Sequence, residues 1–537
     1  MIASFFGFGC FLCRLLLRSS RADTSGSRCE RACNPLGYPE SEFGFPDRTG
    51  RTRNPLESRL RLSIRHNRQK SAAQPAEEAL NKIARRDFVR RAGRWAGAAA
   101  IAPSLPGLSA FAARSFTSAP PGSAVGRAGY GPLVPAGPEL ALPEGFSYVL
   151  LSVEGRPMSD GRPTPRAHDG MGLFPVSDDV VRLVRNHEDQ DPPGLAVPLV
   201  SPELAYDPLA GGGTTTLEVR IETDGRPVLV RDFVSAGGTM INCAGGTTPW
   251  RSWLTCEETT FGQGRGWTVP HGYVFEVPAD ADGPVQAEPI RAMGRFTHEA
   301  VAVDPVTGFV YETEDYNRRS GFYRFRPHTP GVLGDGGALE MLAVRGAPQV
   351  DLRTGQRPGE WREVEWVPIE NPDPPEAERN ATTVWMEGFE AGGARFSRLE
   401  GCWHADRSIY FHATNGGDAQ LGQVWRYVPD EEALALVFES PSEDVLSGPD
   451  NLTVSPRGGI LICEDNSGET HLHGLSPAGE IFPFARNILN EREFAGACFT
   501  PDGRTLFINL QGDTISMGPG NLGHTFAIWG PWERGSL

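Results

Sequence analysis

Residues 242–259 read NCAGGTTPWRSWLTCEET and contain the clearest copy of a pattern that recurs along the chain. A polar residue opens a short apolar run, a turn follows, and a second apolar run ends in acidic residues. The same order is found in five further segments: 168–189, 297–315, 400–418, 448–465 and 495–513. Repeated sets of short strands separated by turn residues are typical of β-propellers, in which each repeat builds one blade.

A third strand follows the pair in each copy. These third strands begin at Thr214, Gly272, Gly321, Gly422, Thr470 and His524. Three or four strands per copy and six copies predict an all-β fold, a six-bladed β-propeller with insertions. A β-sandwich also consists of short strands, but it does not repeat an acidic residue at one position of the pattern. The predicted propeller domain covers 131–537, with a Pro- and Glu-rich insertion at about 345–395.

Charge is distributed unevenly along the chain. Residues 1–112 contain 19 Lys and Arg against 9 Asp and Glu, whereas the remainder contains 32 against 58. The chain after residue 112 is therefore strongly acidic. This charge argues against nucleic acid as a partner and favours the binding of cations. Both lysines, Lys70 and Lys82, lie in the basic region 1–112, so the rest of the chain has no lysine for Schiff-base chemistry or a P-loop.

The basic N-terminal region has the features of an export signal. Arginines at 85 and 86 precede an apolar stretch rich in Ala and Gly, and the tripeptide Ala-Phe-Ala follows that stretch. We interpret 81–112 as a twin-arginine signal peptide rather than a basic amphipathic helix. We interpret 1–80 as a disordered extension or the product of an upstream start. The twin-arginine translocation machinery would then deliver the protein to the periplasm or the medium, without a membrane span after cleavage.

The predicted architecture brings polar residues together. In a propeller, the start of each innermost strand and the end of the next, antiparallel strand lie at the same mouth of the central channel. The residues at these positions are Asp169, Glu188, Asn242, Cys256, Glu257, Glu258, Glu299, Glu314, Asp315, Glu400, Asp418, Asp450, Glu464, Asp465 and Asp513. So many carboxylates cannot all stay ionised without cations. Oxygen ligands suit Ca²⁺, and a thiolate among them suits a transition metal such as iron.

Several of these motifs resemble one known family. The stretch NCAGGTTPWRSWLTCEE, together with RFTHEA at 295–300, SRLEG at 397–401, SGPDNL at 447–452 and the twin-arginine signal, resembles the signature of the PhoX family of bacterial alkaline phosphatases. The resemblance covers most of the chain after about residue 131. It implies a monomeric propeller that hydrolyses small phosphomonoesters with a cluster of calcium and iron ions.

The resemblance also implies roles for individual residues. Cys256 would be the iron-binding thiolate, and Arg398 would hold the phosphate as the catalytic arginine. The other implied metal ligands are carboxylates: Glu188, Glu257, Glu299, Glu400 and Asp450.

These residues also have structural interpretations. Free cysteines are commonly small buried apolar residues, which is an alternative for Cys256 and the expectation for Cys243. Arg398 alternates with Leu399 and can form an ion pair with Glu400.

Two other functions are also compatible with the sequence. Calcium-dependent lactonases and phosphotriesterases also use six-bladed propellers, with one catalytic Ca²⁺ and no thiolate. An exported propeller can also be a non-catalytic binding protein whose Ca²⁺ serves stability.

Overall fold

The computed structural model of the protein describes residues 129–223 and 225–537. The predicted extension at 1–80 and the predicted signal peptide at 81–112 lie outside the described residues. The described part is mostly β-structure, with 26 strands and one α-helix. A search of its helices finds none with the length and apolar character needed to cross a membrane.

The strands before and within the first two blades are antiparallel to their neighbours. Three strands precede blade 1: β1 (Leu133–Pro135), β2 (Leu140–Pro143) and β3 (Ser147–Val153). Blade 1 consists of β4 (His168–Pro175), β5 (Val180–His187), β6 (Gly212–Ile221) and β7 (Pro227–Thr239). Blade 2 consists of β8 (Asn242–Thr247), β9 (Ser252–Glu257) and β10 (Val274–Pro278).

Blades 3 and 4 share an inserted strand. Blade 3 consists of β11 (His298–Val303), β12 (Val310–Glu314), β13 (Phe322–Pro327) and β14 (Gly337–Val344). The segment after it contains β15 (Trp361–Pro368) and α1 (Thr383–Glu390). Blade 4 consists of β16 (Leu399–Ala405), β17 (Ser408–Ala413), β18 (Gln423–Val428) and β19 (Ala433–Glu439). Because β15 pairs with both β14 and β19, the two blades form one continuous nine-stranded sheet.

The last two blades use strands from the start of the described chain. Blade 5 consists of β20 (Pro449–Val454), β21 (Ile460–Glu464), β22 (His471–Leu475) and β23 (Ile481–Asn487), extended by β2 and β1. Blade 6 consists of β24 (Phe494–Phe499), β25 (Thr505–Leu510) and β26 (His524–Trp529), with β3 as its outer strand. The two ends of the domain are therefore joined within one sheet, which closes the ring.

The six innermost strands confirm the predicted six-bladed propeller. Strands β4, β8, β11, β16, β20 and β24 contact one another in that order, and β24 contacts β4 again. Apolar clusters fill the spaces between adjacent blades, as between blades 2 and 3 around Val274 and Val301. Trp253 and Trp425 are buried in these layers, where burying large aromatic side chains contributes strongly to stability.

Each innermost strand has a β-bulge near its start. In β4, for example, the register moves from His168↔His187 to Met171↔Arg185, so β4 has one extra residue. The same shift occurs at the start of β8, β11, β16, β20 and β24. A bulge redirects the side chains of the residues that it leaves unpaired. The six bulges together define one mouth of the channel.

Candidate metal centre

The residue at the start of the bulge in each innermost strand lies at an equivalent position of the ring. These residues are Asp169, Cys243, Glu299, Glu400, Asp450 and Gly496. Five of the six carry side chains that bind metals, and all five are buried. Since the bulge follows the first residue in those five strands, the repeat places one thiol and four carboxyls at the mouth.

The residues next in sequence allow the strands to approach closely. A Cβ atom added to Gly170 would lie 2.6 Å from the Cα of Ala244, and one added to Gly401 would lie 2.7 Å from the backbone nitrogen of Leu452. Below the mouth, the residues around Gly170 and Gly401 enclose a cavity of only about 20 Å³. The close packing holds the acidic side chains together and narrows the channel beneath them.

One group at the mouth contains the thiol. The ligand atoms of Cys243, Glu299 and Asp450 all lie within 4.8 Å of one another. Cys243 Sγ lies 3.2 Å from Glu299 Oε1 and 3.9 Å from Asp169 Oδ1. Glu299 Oε2 is buried without a hydrogen-bond partner among the described residues. An orphaned buried carboxylate oxygen requires a partner that these residues do not supply, and a cation would be one.

A second group contains only oxygen ligands. Asp169, Glu188 and Glu493 again have ligand atoms within 4.8 Å of one another. Gln511 Nε2 donates hydrogen bonds to Asp169 Oδ2 at 2.8 Å and to Glu188 Oε2 at 2.5 Å. Gln190 Nε2 donates to the other Glu188 oxygen at 2.6 Å. These amides fix the orientation of the carboxylates, as outer partners commonly do around metal ligands.

Arg398 lies beside the carboxylates. Its Nε and Nη2 donate hydrogen bonds to Asp315 Oδ2 at 3.1 and 3.0 Å, and Nη2 lies 2.9 Å from Glu400 Oε1. Arg398 has a φ of 46°, in the left-handed region that non-glycine residues rarely adopt. About 35% of its side chain is exposed, so a ligand entering the mouth can reach its charge.

The acids of the mouth resist ionisation. Burial, followed by the charges of neighbouring acids such as Asp450, raises the pKa of Asp169 and Glu299 well above the ordinary value. Burial likewise raises the pKa of Glu188 and that of Asp450 to about 7. Burial and the carboxylates around Cys243 raise the pKa of its thiol. In the absence of cations these groups would hold protons, and a metal ion would displace them.

The structure does not bring Cys256 to this site. Its side chain is fully buried in the apolar layer between blades 2 and 3, with Leu254 and Val274, and it belongs to neither group at the mouth. The surroundings of Cys256 therefore fit a buried core residue and do not fit the predicted metal ligand. The expectation that Cys243 packs between blades is wrong for the converse reason, because its sulfur contacts carboxylates.

Glu257 is also directed away from the mouth. Its Oε1 lies 2.7 Å from His271 Nδ1 and accepts a hydrogen bond from the Met240 amide at 3.1 Å. Its Oε2 accepts one from the Gly272 amide at 2.8 Å. These bonds satisfy the carboxylate within its own blade. The next residue, Glu258, interacts instead with Asp315 and Glu188, whose charges add to burial in raising its pKa.

The structure brings the other predicted residues together. Glu188, Glu299, Glu400, Asp450 and Arg398 all lie at the mouth, linked by the contacts and charge interactions described above. Sequence reasoning missed Glu493 and Gln511. Glu493 directly precedes β24, whose ring position is held by Gly496 and has no side chain that binds a metal, so an acid just before this strand is the signal in the sequence.

Comparisons with known proteins identify similar chains. A family model described as alkaline phosphatase PhoX matches residues 128–513. The solved structure of Pseudomonas fluorescens PhoX in complex with vanadate, a transition-state analogue, is 19% identical with a TM-score of 0.57, covering 76% of this chain and 99% of that chain. This similarity supports the propeller fold.

Other solved structures are less similar. A gluconolactonase from Xanthomonas campestris is 12% identical with a TM-score of 0.32, covering 70% of this chain and 99% of that chain. The calcium-binding protein regucalcin from Agrobacterium tumefaciens is 8% identical with a TM-score of 0.32, covering 71% of this chain and 96% of that chain. No curated protein sequence matches this chain.

Proposed function

This chain belongs to the PhoX family of alkaline phosphatases, and from that premise we propose that it hydrolyses phosphomonoesters at the mouth of its propeller. One observation carries the proposal: four carboxyls and a thiol occupy equivalent ring positions, with the Arg398 guanidinium beside them. A phosphate dianion would not enter a site of carboxylates alone. The proposal therefore requires cations in the mouth and a fixed positive group at its edge.

The donor sets fit two kinds of metal. We assign iron to the group of Cys243, Glu299 and Asp450, because a thiolate favours a softer transition metal. We assign calcium to the all-oxygen group of Asp169, Glu188 and Glu493. Glu258 and Glu400 complete the acidic surroundings. When bound, such ions would polarise the phosphate oxygens and offset the negative charge of substrate and site.

Arg398 is the residue that we propose to bind the phosphate. Its two hydrogen bonds to Asp315 fix the plane of the guanidinium, and Glu400 holds the same Nη2 group from the other side. A guanidinium positioned in advance can donate hydrogen bonds to phosphate oxygens without reorganising. Its charge would then stabilise the phosphoryl group as negative charge spreads over the equatorial oxygens.

We also propose that the protein is exported by the twin-arginine route and acts as a monomer in the periplasm or outside the cell. The arginines at 85 and 86 support this proposal. Replacing both with lysine should retain the protein in the cytoplasm, as measured by cell fractionation. Export of that variant at the normal level would contradict the proposed route.

Hydrolysis assays decide between the proposed function and its alternatives. We expect the purified protein with added Ca²⁺ to hydrolyse p-nitrophenyl phosphate at alkaline pH, and to hydrolyse a lactone or a phosphotriester far more slowly. A reversed preference would favour a lactonase or phosphotriesterase. Bound metals without hydrolysis of several phosphomonoesters would favour a binding protein.

A further inference from the structure

A third group of potential metal ligands lies in blade 5. Glu464 is the last residue of β21, and His471 and His473 lie at the start of β22. Residues two apart on a strand project from the same face, so both imidazoles lie beside the Glu464 carboxylate. The group shares no residue with the two groups at the mouth.

The distances within this group match a small coordination sphere. His471 Nδ1 and His473 Nε2 each lie 3.4 Å from Glu464 Oε2. The three ligand atoms all lie within 4.8 Å of one another. Ligand atoms bound tetrahedrally at about 2.0 Å from a zinc ion are roughly 3.3 Å apart. A metal ion therefore fits between them with little movement of the side chains.

The state of His473 is an independent indication of a missing partner. About 8% of its side chain is exposed, and neither ring nitrogen makes a hydrogen bond of acceptable geometry to the described residues. Buried imidazoles normally have a hydrogen-bond partner or a metal ion. The Nε2 atom instead faces the carboxylate of Glu464 at a distance that a shared ligand would explain.

The carboxylate is oriented by bonds that leave one oxygen for the histidines. The Ser447 amide donates a hydrogen bond to Glu464 Oε1 at 2.9 Å. The His471 amide donates to Oε2 at 3.1 Å, on the side of the imidazoles. The carboxylate is thus positioned by the backbone before any ligand binds.

From this geometry we propose that Glu464, His471 and His473 form a transition-metal site that binds Zn²⁺, separate from the metal centre of the mouth. Two imidazoles and one carboxylate are a common ligand set for zinc, with a fourth position left for water. Imidazole nitrogens are poor ligands for Ca²⁺, which prefers oxygen. The ligand chemistry therefore distinguishes this site from the all-oxygen group.

A bound ion would also hold the segment between its ligands. Residues 465–470 connect Glu464 to His471 and begin with Asp465, whose charge contributes to raising the pKa of Glu493 at the mouth. Cross-linking the two ends of this loop would restrict it. Zinc bound here would therefore stabilise the folded protein without contacting the phosphate.

Metal counting tests the proposal on the full protein loaded with iron and calcium. Zn²⁺ is titrated against a chromophoric chelator, and bound zinc, iron and calcium are counted by elemental analysis. We expect His471→Ala/His473→Ala to bind one equivalent of zinc fewer than the wild type, with unchanged iron, calcium and p-nitrophenyl phosphate turnover. His328→Ala, at an exposed histidine of another blade, is the matched control and should bind zinc as the wild type does.

Two further measurements keep the test independent of how the double variant folds. The melting temperature of the wild type should rise with added Zn²⁺, since a ligand that binds only the folded state stabilises it. Co²⁺ in place of zinc should give the visible absorption of a tetrahedral site with nitrogen ligands. Equal zinc binding by the double variant and the wild type would overturn the proposal. So would a wild type that binds no zinc, which would leave the contacts of Glu464 with the two histidines as structural contacts alone.

Discussion

Two cysteines of one β-hairpin have opposite surroundings, and the difference separates a candidate ligand from a core residue. Cys243, on β8, lies 3.2 Å from a Glu299 oxygen, whereas Cys256, on β9, is packed among apolar side chains. Both thiols are buried, and burial raises the pKa of each. Only Cys243 lies where a metal ion could stabilise its thiolate.

Replacing each cysteine with serine should therefore have different effects. We expect Cys243→Ser to lose most of its iron and most of its turnover, because the soft ligand is removed. Cys256→Ser should keep its metals but lose roughly 1–3 kcal/mol of unfolding free energy, since a hydroxyl is buried among apolar groups. Elemental analysis and denaturant titration of the two variants measure these effects. Loss of iron from Cys256→Ser alone would reverse the assignment.

Arg398 provides the second prediction at this scale. We expect Arg398→Ala to reduce turnover of p-nitrophenyl phosphate about 10²- to 10³-fold, the effect of removing a positioned donor from a transition state. Its iron and calcium contents should stay as in the wild type. Arg407→Ala, which removes an exposed ion pair with Asp430, is the control and should be fully active. Metal loss in Arg398→Ala would show that the guanidinium holds the carboxylates together instead.

At the scale of the element, the β-bulge in each inner strand determines which side chain faces the site. Each bulge adds one residue to the inner strand, so its second side chain faces the mouth, as Glu299 does. The next residue is small in most blades because neighbouring inner strands approach closely, as at Gly401. Close approach and redirected side chains are thus two results of one local geometry.

Substituting one of these glycines should disturb the ring. Gly401→Ala places a Cβ 2.7 Å from the Leu452 backbone nitrogen, which cannot move as a flexible side chain would. We expect a loss of about 1–3 kcal/mol in unfolding free energy, typical of overpacking, together with weaker metal binding. Gly283→Ala is the control, since a Cβ there meets nothing within 4 Å. Equal stability of the two variants in urea would contradict this account of the ring.

The sequence predicts the repeat better than it predicts which of two adjacent residues faces the mouth. Glu299, Glu400 and Asp450 could be identified because an acid recurs at the second position of their strands. In the copy on β8, the pattern indicates the polar Asn242 as the equivalent residue, although it comes one position earlier than Cys243. The bulges cannot be seen in the sequence, and a shift of one residue in a strand reverses the direction of every side chain. The choice between Glu257 and Glu258, at the end of β9, likewise depends on which face of the strand each side chain is on.

At the scale of the whole molecule, the propeller gathers buried acidic side chains at one mouth of its central channel. The six blades bring together buried acids that are far apart in the chain, such as Asp169 and Asp450. Burying them together costs free energy, which protons or cations must offset. The metals of the proposed function would therefore also be required for stability.

This cost predicts how stability depends on pH. Burial raises the pKa of Glu188 from 4.5 to about 7, so the metal-free folded state retains protons that the unfolded state has lost in this range. Because the folded state then binds more protons, the free energy of unfolding falls as pH rises from about 4.5 through 7. We expect the metal-free protein to melt at a lower temperature at pH 8 than at pH 6, and added Ca²⁺ to reverse the loss. A melting temperature that is equal or higher at pH 8 without metals would contradict the prediction.

The most direct test of the central claim is elemental analysis of the exported protein, with turnover of p-nitrophenyl phosphate measured on the same sample. We predict that the protein contains both iron and calcium, that a strong chelator removes both the metals and the activity, and that adding the metals back restores turnover. Phosphatase activity that persists in a protein free of iron and calcium would contradict the claim that the ring of acids and the Cys243 thiolate form its catalytic centre.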